Sequence, residues 1–201
     1  MTTLKIYKLY PGVKIPKHQT EQSACFDLSF HGVAGVPITG YTATNKPIER
    51  FITFDRQALT ISPGDRILLP TGMILDIPDG HSVRVHARSG LSLKQGLVLA
   101  NAEGVIDSDY VEEVMVLMHN ISDNSINIQT GDRIAQAELV RDLDYAIEES
   151  AVRPGVKTTR IGGMGSTGVT SQADTVTITV AEPPPSPLTP RGRGRPKKNV
   201  A

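Results

Sequence analysis

Residues 63–86, PGDRILLPTGMILDIPDGHSVRVH, alternate short apolar runs with turn signals. The runs are rich in aliphatic residues and in part alternate with a period of two, as half-buried strands do. Pro63-Gly64-Asp65 precedes the first run and Pro78-Asp79-Gly80 precedes the last, and both are turn sequences. Because this spacing leaves little room for a long helix, the stretch predicts strands joined by tight turns.

The same pattern extends in both directions along the chain, with a further turn sequence at Thr130-Gly131-Asp132. One short helix is predicted near Ser89–Gln95, bracketed by Gly90 and Gly96. The architecture that fits is an all-β sandwich or jelly roll. With no tryptophan and nine Phe and Tyr residues, aliphatic side chains must fill its core. The predicted strands are Leu4–Leu9, Arg66–Leu69, Met73–Ile77, Ser82–His86, Val114–Met118 and Ile134–Val140.

The chain has 201 residues, of which 39% are hydrophobic, enough for one well-buried domain and a small appendage. We place the domain at residues 1–170 and a Ser/Thr/Pro-rich flexible tail at residues 171–201, because no aromatic residue follows Tyr145. Thr175–Val180 alternates well enough to form a strand, but its sequence leaves that question open.

The charges balance at 21 basic and 21 acidic residues, yet five of the basic residues lie beyond Ala181, beside a single acidic residue, Glu182. Cys25 is the only cysteine, which excludes an intramolecular disulfide and a zinc site built on paired thiolates, and fits a reducing cytoplasm. No apolar run is long enough to span a membrane, and the polar N-terminus does not resemble a signal peptide. The histidines show no zinc-ligand spacing and are interpreted as structural or surface residues; they are His18, His31, His81, His86 and His119.

Three polar blocks carry side chains suited to phosphate chemistry. In Gly104–Tyr110, a turn glycine and two apolar residues precede Asp107, so this carboxylate is predicted at a strand end, where it can deprotonate a water. Ala87–Gly96 offers a guanidinium, a hydroxyl and the amides of a predicted helix start, a natural anion site. Arg160–Gly168 adds a basic side chain, glycines and two hydroxyls, without the ending of a Walker loop. Taken singly, each block is also compatible with an ordinary turn.

The order of these blocks resembles that of the five motifs of the trimeric dUTPase (deoxyuridine 5′-triphosphate nucleotidohydrolase) family. The resemblance extends from about Leu4 to Gly168, and the middle three blocks match most closely. It implies a jelly-roll-like β subunit, a homotrimer with active sites shared between chains, and hydrolysis of dUTP to dUMP and pyrophosphate. The five blocks are Ala24–Leu28, Ala87–Gly96, Asn101–Tyr110, Gly131–Gln136 and Arg160–Gly168.

The resemblance also implies a role for individual residues. Asp107 would act as the general base for the water that attacks the α-phosphorus, and Tyr110 would pack on the deoxyribose and exclude a 2′-hydroxyl. The uracil edge would be recognised by Asn101 and by the backbone at Gly104, Val105 and Ile106, with Met115 nearby. The triphosphate would be held by Arg88, Ser89, Gly90 and Gln136, and covered by a lid at residues 160–168 with Arg160, Gly165, Ser166 and Thr167.

Magnesium is the cofactor that the resemblance implies, because Mg²⁺ prefers phosphate oxygens and water to a full protein cage. Asp27 of the first block would contact the hydration shell of the metal. A structural carboxylate that caps a turn or makes a subunit contact is an equally compatible interpretation of Asp27.

The sequence departs from the family pattern at several positions. Met164 stands where the fifth motif usually has an aromatic residue that stacks on uracil, so π stacking would be lost there. Glu112 and Cys25 stand where the third and first motifs often have glycine. The segment from His31 to Leu59 is longer than the resemblance leads us to expect.

Beyond the family motifs, residues 191–198, RGRGRPKK, resemble an AT-hook. Arg193 and Arg195 would then enter the minor groove of A·T-rich DNA, which would add DNA or nuclear association to a cytoplasmic enzyme. A solvated basic tail that binds any polyanion is the simpler interpretation.

Two other functions remain open at this stage. A relative of dCTP deaminase would need a glutamate that activates water against the pyrimidine ring, and Glu103 is a poor candidate. A dUTPase-like protein that binds DNA or a partner protein without catalysis is the other alternative, and the intact Asp107, Tyr110 and Gln136 argue against it.

Overall fold

The computed structural model describes residues 2–53 and 58–158. The chain divides into two compact units, Met1–Ile147 and Glu148–Ala201. The described part of the second unit, residues 148–158, is exposed and contains neither helix nor strand. The predicted boundary at residue 170, the tail at 171–201 and the segment Thr175–Val180 lie outside the described residues.

The first unit is built almost entirely of strands, which confirms the all-β prediction. Its described residues contain one helix, α1. No helix in the described part of the chain is long and apolar enough to cross a membrane. The elements are β1 (Lys5–Lys8), β2 (Phe26–Ser29), β3 (Ile38–Tyr41), β4 (Pro47–Arg50), β5 (Ala58–Ile61), β6 (Arg66–Pro70), β7 (Met73–Asp76), β8 (His81–Ala87), α1 (Ser89–Gln95), β9 (Leu97–Leu99), β10 (Gly104–Ile106), β11 (Met115–Asn120), β12 (Ile126–Gln129) and β13 (Arg133–Arg141).

Two larger sheets carry the fold, a four-stranded sheet in the order β10-β8-β13-β2 and a five-stranded sheet in the order β4-β3-β6-β11-β9. Two pairs, β1-β7 and β12-β5, complete the unit. Side chains alternate between buried and partly exposed along β6 and β11, as the period of two requires. Fully buried Leu28, Ile67, Val83 and Met118 come from both larger sheets and belong to one aliphatic core.

All six predicted strands are present, with bounds shifted by one or two residues. Helix α1 has the predicted bounds because Gly96 ends it in the left-handed region, at φ 68°, where its N–H bonds the last turn. The long segment after His31 contains the β3–β4 hairpin, which the sequence analysis did not predict. This hairpin extends the five-stranded sheet through the pairing of Gly40 with Ile67, where a Cβ on Gly40 would collide with the backbone of Arg66.

Candidate functional site

Asp107 lies immediately after strand β10, as predicted. β10 pairs antiparallel with β8, with Gly104 opposite Val85 and Ile106 opposite Val83. Glycine permits this close approach, because a Cβ on Gly104 would stand 3.0 Å from the Cβ of Val85. The chain then turns, with the N–H of Tyr110 donating to the carbonyl of Asp107 at 3.2 Å. The turn leaves the Asp107 side chain exposed to solvent.

A pocket of about 300 Å³ opens beside this turn and is sized for a small polar molecule or part of one. It brings together five residues that the sequence predicted for the site, and adds Leu68 and Val114. Asn101 lies close by, with its side-chain nitrogen 3.8 Å from where a Cβ on Gly104 would stand. We call this the β10 pocket; its predicted members are Val105, Ile106, Asp107, Tyr110 and Met115.

Tyr110 is held in the β10 pocket by a residue that the sequence analysis did not single out. Its hydroxyl donates to the backbone carbonyl of Glu113 at 2.9 Å. The Glu113 carboxylate in turn accepts the backbone N–H of Gly72 at 2.6 Å. The position of Glu113 three residues after Tyr110 is the only sequence signal that could have indicated the first contact.

A second pocket, of about 500 Å³, gathers the residues predicted for the triphosphate. Arg88, Ser89 and Gly90 line it where helix α1 begins, and Gln136 reaches it from β13. The Gln136 amide donates to the carbonyl of Ala87 at 3.1 Å, which joins β13 to the residue before Arg88. We call this the α1 pocket; its other lining residues are Gln19, Ser23, Ala24, Cys25, Asp27 and Arg133.

Asp27 is the electrostatic centre of the α1 pocket. One carboxylate oxygen lies 2.9 Å from Nε of Arg88, and the other lies 3.0 Å from Nη1 of Arg133. Arg88 also donates through Nη1 to the carbonyl of Arg133 at 3.0 Å. Asp27 therefore bonds both guanidinium groups and orients them. Arg133 belongs to the Gly131–Gln136 block, but no role was predicted for it.

Cys25 shares the α1 pocket with Asp27. Burial raises the pKa of the Cys25 thiol, and the nearby carboxylates of Glu138 and Asp27 raise it further. The thiol therefore stays protonated at neutral pH and is poorly suited to nucleophilic chemistry.

The β10 and α1 pockets lie toward opposite ends of strand β8. Ile106, the last residue of β10, is opposite Val83, whereas Arg88 follows the far end of β8. Arg88 lies five positions after Val83, which corresponds to roughly 16 Å along a strand. The end of β10 and the start of α1 are thus separated along β8 on one chain.

The surroundings of His86 are polar. His86 on β8 lies between two carboxylates, 3.2 Å from Glu138 and 3.7 Å from Glu103. Nowhere in residues 2–53 and 58–158 do three or more His, Cys, Asp or Glu side chains gather closely enough to hold a metal ion.

Several predicted residues fall outside the described part of the chain, so the structure does not place them. The lid residues among them are Arg160, Met164, Gly165, Ser166 and Thr167, and the tail residues are Arg193 and Arg195.

A dUTPase family model matches residues 54–168. The chain is 38% identical over 157 residues to the deoxyuridine 5′-triphosphate nucleotidohydrolase of Brucella melitensis, covering 78% of this chain and 86% of that protein. It is 34% identical over 171 residues to the enzyme of the same name from Heliobacterium modesticaldum, covering 84% and 98%.

Solved structures show the same fold. The dUTPase of Staphylococcus bacteriophage 80alpha with dUPNHPP superposes with a TM-score of 0.64 at 20% identity, covering 84% of this chain and 100% of that one. The dUTPase from Streptococcus mutans superposes with a TM-score of 0.55 at 23% identity, covering 72% and 99%. Sequence and fold agree with the two pockets, and the chain belongs to the dUTPase family.

Proposed function

We propose that this protein hydrolyses dUTP to dUMP and pyrophosphate, with Asp107 as the general base. The observation that carries the proposal is the position of Asp107, exposed at the end of β10 and lining a pocket with Tyr110 and Met115. The relatives named deoxyuridine 5′-triphosphate nucleotidohydrolase support the choice of substrate.

The Asp107 carboxylate would accept a proton from a water that attacks the α-phosphorus. The new bond joins the water oxygen to that phosphorus, and the bond to the α–β bridging oxygen breaks as pyrophosphate leaves. No cation is paired with this carboxylate among the residues that the structure describes, so its oxygens are available to a water. General-base catalysis of this kind contributes about 10²–10⁴-fold to a rate.

Uracil recognition by β10 is supported by the position of this strand at the edge of its sheet. An edge strand has one row of backbone N–H and C=O groups that pairs with no neighbouring strand, and these groups can bond the polar edge of a base. We propose that the backbone at Val105 and Ile106 recognises uracil in this way, with Asn101 beside them and Tyr110 against the deoxyribose.

We propose that the protein works as a homotrimer with shared active sites. This proposal is supported by the roughly 16 Å along β8 between Val83, opposite the end of β10, and Arg88, which puts the β10 and α1 pockets at separate places on one chain. A β10 pocket of one subunit completed by the α1 pocket of another would bring Asp107 and Arg88 together, and cyclic symmetry would then create equivalent sites. The lid at residues 160–168 would close each site.

Arg88 is suited to the triphosphate because its guanidinium is already oriented by Asp27. A preorganised donor loses little freedom when the substrate binds, and it favours the charge that develops in phosphoryl transfer. Ser89, Gly90 and Gln136 line the same pocket and would contribute further donors.

Mg²⁺ is the proposed cofactor. Among the described residues, no three His, Cys, Asp or Glu side chains gather to form a metal site. This fits Mg²⁺ that arrives bound to the substrate, because Mg²⁺ is commonly held by phosphate oxygens and waters. When bound, the ion would supply charge neutralisation on the phosphates. Both oxygens of Asp27 already bond Arg88 and Arg133, so we propose that Asp27 holds these guanidinium groups in place of contacting the hydration shell of the metal.

We also propose that the basic segment 191–198 binds A·T-rich DNA through Arg193 and Arg195; its sequence, RGRGRPKK, supports this. The test compares the full chain with a chain ending at residue 170 for binding to A·T-rich and G·C-rich duplexes at one salt concentration. Preferential binding of A·T-rich DNA by the full chain alone is expected. Equal affinity for both duplexes would reduce the segment to a nonspecific basic tail.

The catalytic proposal is tested by pyrophosphate release from dUTP, dCTP, dTTP and UTP with Mg²⁺, together with ammonia release from dCTP. Selective release from dUTP is expected, with a loss of about 10²–10⁴-fold in Asp107→Asn. Asp109→Asn, an exposed neighbour in the same turn, is the matched control. Ammonia release from dCTP would favour a deaminase, and inactivity toward all four nucleotides would favour a binding protein.

A further inference from the structure

The backbone and the side chain of Glu113 bind different parts of the molecule. Its carbonyl accepts the hydroxyl of Tyr110 at 2.9 Å, and its carboxylate accepts the N–H of Gly72 at 2.6 Å. The second bond is charge-assisted and spans 41 residues of sequence. One residue thus connects a wall of the β10 pocket to the turn between β6 and β7.

Gly72 is a firm anchor for that connection. It has a φ of 72°, in the left-handed region, and a Cβ at this position would stand 2.5 Å from Cγ2 of Val13 and 3.0 Å from the His31 ring. Its carbonyl accepts the N–H of Leu9 at 2.9 Å. The turn is packed on several sides, so the Glu113 carboxylate is tied to a part of the backbone with little freedom to move.

The same turn also holds the residue after Glu113. The Thr71 hydroxyl donates to the carbonyl of Val114 at 2.7 Å, and the N–H of Val114 donates to the carbonyl of Met73 at 2.8 Å. Val114 and Met115 then enter the lining of the β10 pocket. Glu113 and Val114 are therefore both fixed to this turn.

A small cavity of about 100 Å³ borders Glu113 and Met115. Tyr10 and His31 form another part of its lining, with their rings stacked at 5.2 Å between centroids. Because Met115 lines both this cavity and the β10 pocket, free space is available for it to move into. The bond from Glu113 to Gly72 adds to the backbone bonds of Val114, and it fixes the residue whose carbonyl holds Tyr110 and which borders the same cavity as Met115.

We infer that Glu113 is a positioning residue that sets the sugar selectivity of the β10 pocket by fixing Tyr110 and Met115. This inference rests on the proposed hydrolysis of dUTP and on the place of Tyr110 against the deoxyribose. Glu113 acts through Tyr110 and does not touch substrate. Its loss impairs nucleoside binding and the preference for dUTP over UTP more than it impairs the water activation at Asp107.

The test is steady-state hydrolysis of dUTP and UTP by Glu113→Ala, Glu113→Gln and the control Glu112→Ala. Glutamine keeps an oxygen that can accept the Gly72 N–H, whereas Glu112 is exposed to solvent. In Glu113→Ala we expect KM for dUTP to rise about tenfold and the kcat/KM preference for dUTP over UTP to fall by a similar factor. Glu113→Gln should stay within about threefold of the wild type in KM and in the preference for dUTP over UTP. Glu112→Ala should have the wild-type values of both.

Tyr110→Phe keeps the test decisive if Glu113→Ala does not fold. It removes the bond to the Glu113 carbonyl alone, and should reproduce part of the loss in selectivity. The inference would be overturned if Glu113→Ala folds and has the KM and the selectivity of the wild type. If Glu113→Ala does not fold, a Tyr110→Phe variant with wild-type selectivity would overturn it. A wild-type protein inactive toward dUTP would instead overturn the proposed function.

Discussion

Asp27 and Arg88 form an ion pair in which Oδ1 of the carboxylate lies 2.9 Å from Nε of the guanidinium. The other oxygen of Asp27 binds Arg133 at 3.0 Å, and the Asp27 side chain is only 12% exposed. An exposed ion pair contributes little, but a partly buried carboxylate bonded at both oxygens fixes the direction of its partners. The geometry of the α1 pocket therefore depends on a residue of β2 that is distant from Arg88 in sequence.

Asp27→Asn tests whether this carboxylate serves the arginines or the metal. The substitution removes the charge that orients Arg88 and Arg133, so we expect KM for dUTP to rise about tenfold while the Mg²⁺ concentration for half-maximal activity stays unchanged. Asp76→Asn, which breaks the exposed ion pair with Lys5, is the control. A shifted Mg²⁺ requirement with an unchanged KM would assign Asp27 to the metal.

Subunit mixing tests whether active sites are shared between chains. Asp107→Asn and Arg88→Ala should each be inactive alone, but in randomly mixed trimers about a quarter of the sites would pair an intact Asp107 with an intact Arg88 of another chain. We therefore expect co-expression of the two variants to recover about a quarter of wild-type activity. Co-expressed Asp107→Asn and the double variant Asp107→Asn with Arg88→Ala should recover none. A mixture as inactive as its components would place the whole site on one chain.

The sequence predicted the parts of the fold that follow from local periodicity. Strands such as β8 and β13 alternate clearly, and Gly96 marks the end of α1 because few other residues adopt its backbone conformation. Six short strands were not predicted, because each has only three or four residues and shows little periodicity; they are β2, β3, β4, β5, β9 and β12. Long-range pairing is a property of the whole sheet and leaves a weak signal in a short segment.

In the candidate site, too, residues in local motifs were predicted and roles that depend on long-range contacts were not. Asp107, Tyr110 and Arg88 stand out within contiguous motifs, and in the structure they line the two pockets. The roles of Arg133 and Glu113 depend on contacts with Asp27 and Gly72, which are far away in sequence. Such contacts become visible only when the register of the strands is known.

Cys25 should react slowly with alkylating agents in the native protein. Burial raises the pKa of its thiol, with further contributions from Glu138 and Asp27, so less thiolate is present at neutral pH than in the unfolded chain. We expect iodoacetamide to modify the native protein about tenfold or more slowly than the protein in denaturant. Glu138→Gln removes one of the carboxylates and should speed the native reaction. Equal rates in the folded and unfolded states would contradict the prediction.

Stability should fall at mildly acidic pH because of His31. Burial lowers the pKa of its imidazole from the ordinary value of 6.5, and the carboxylate of Glu113 opposes this effect without cancelling it. The unfolded chain then binds the proton more readily than the folded chain. The contribution of His31 to stability is therefore fully present above pH 6.5 and is lost as the pH falls through the lower pKa of the folded state.

Denaturant midpoints measured from pH 8 to about pH 5 would check this expectation. His31→Asn loses the stack with Tyr10, so its stability is lower at every pH, and the informative quantity is the slope with pH. We expect the variant to have a shallower slope than the wild type below pH 6.5. A wild-type slope in His31→Asn would show that the acid sensitivity arises from other groups.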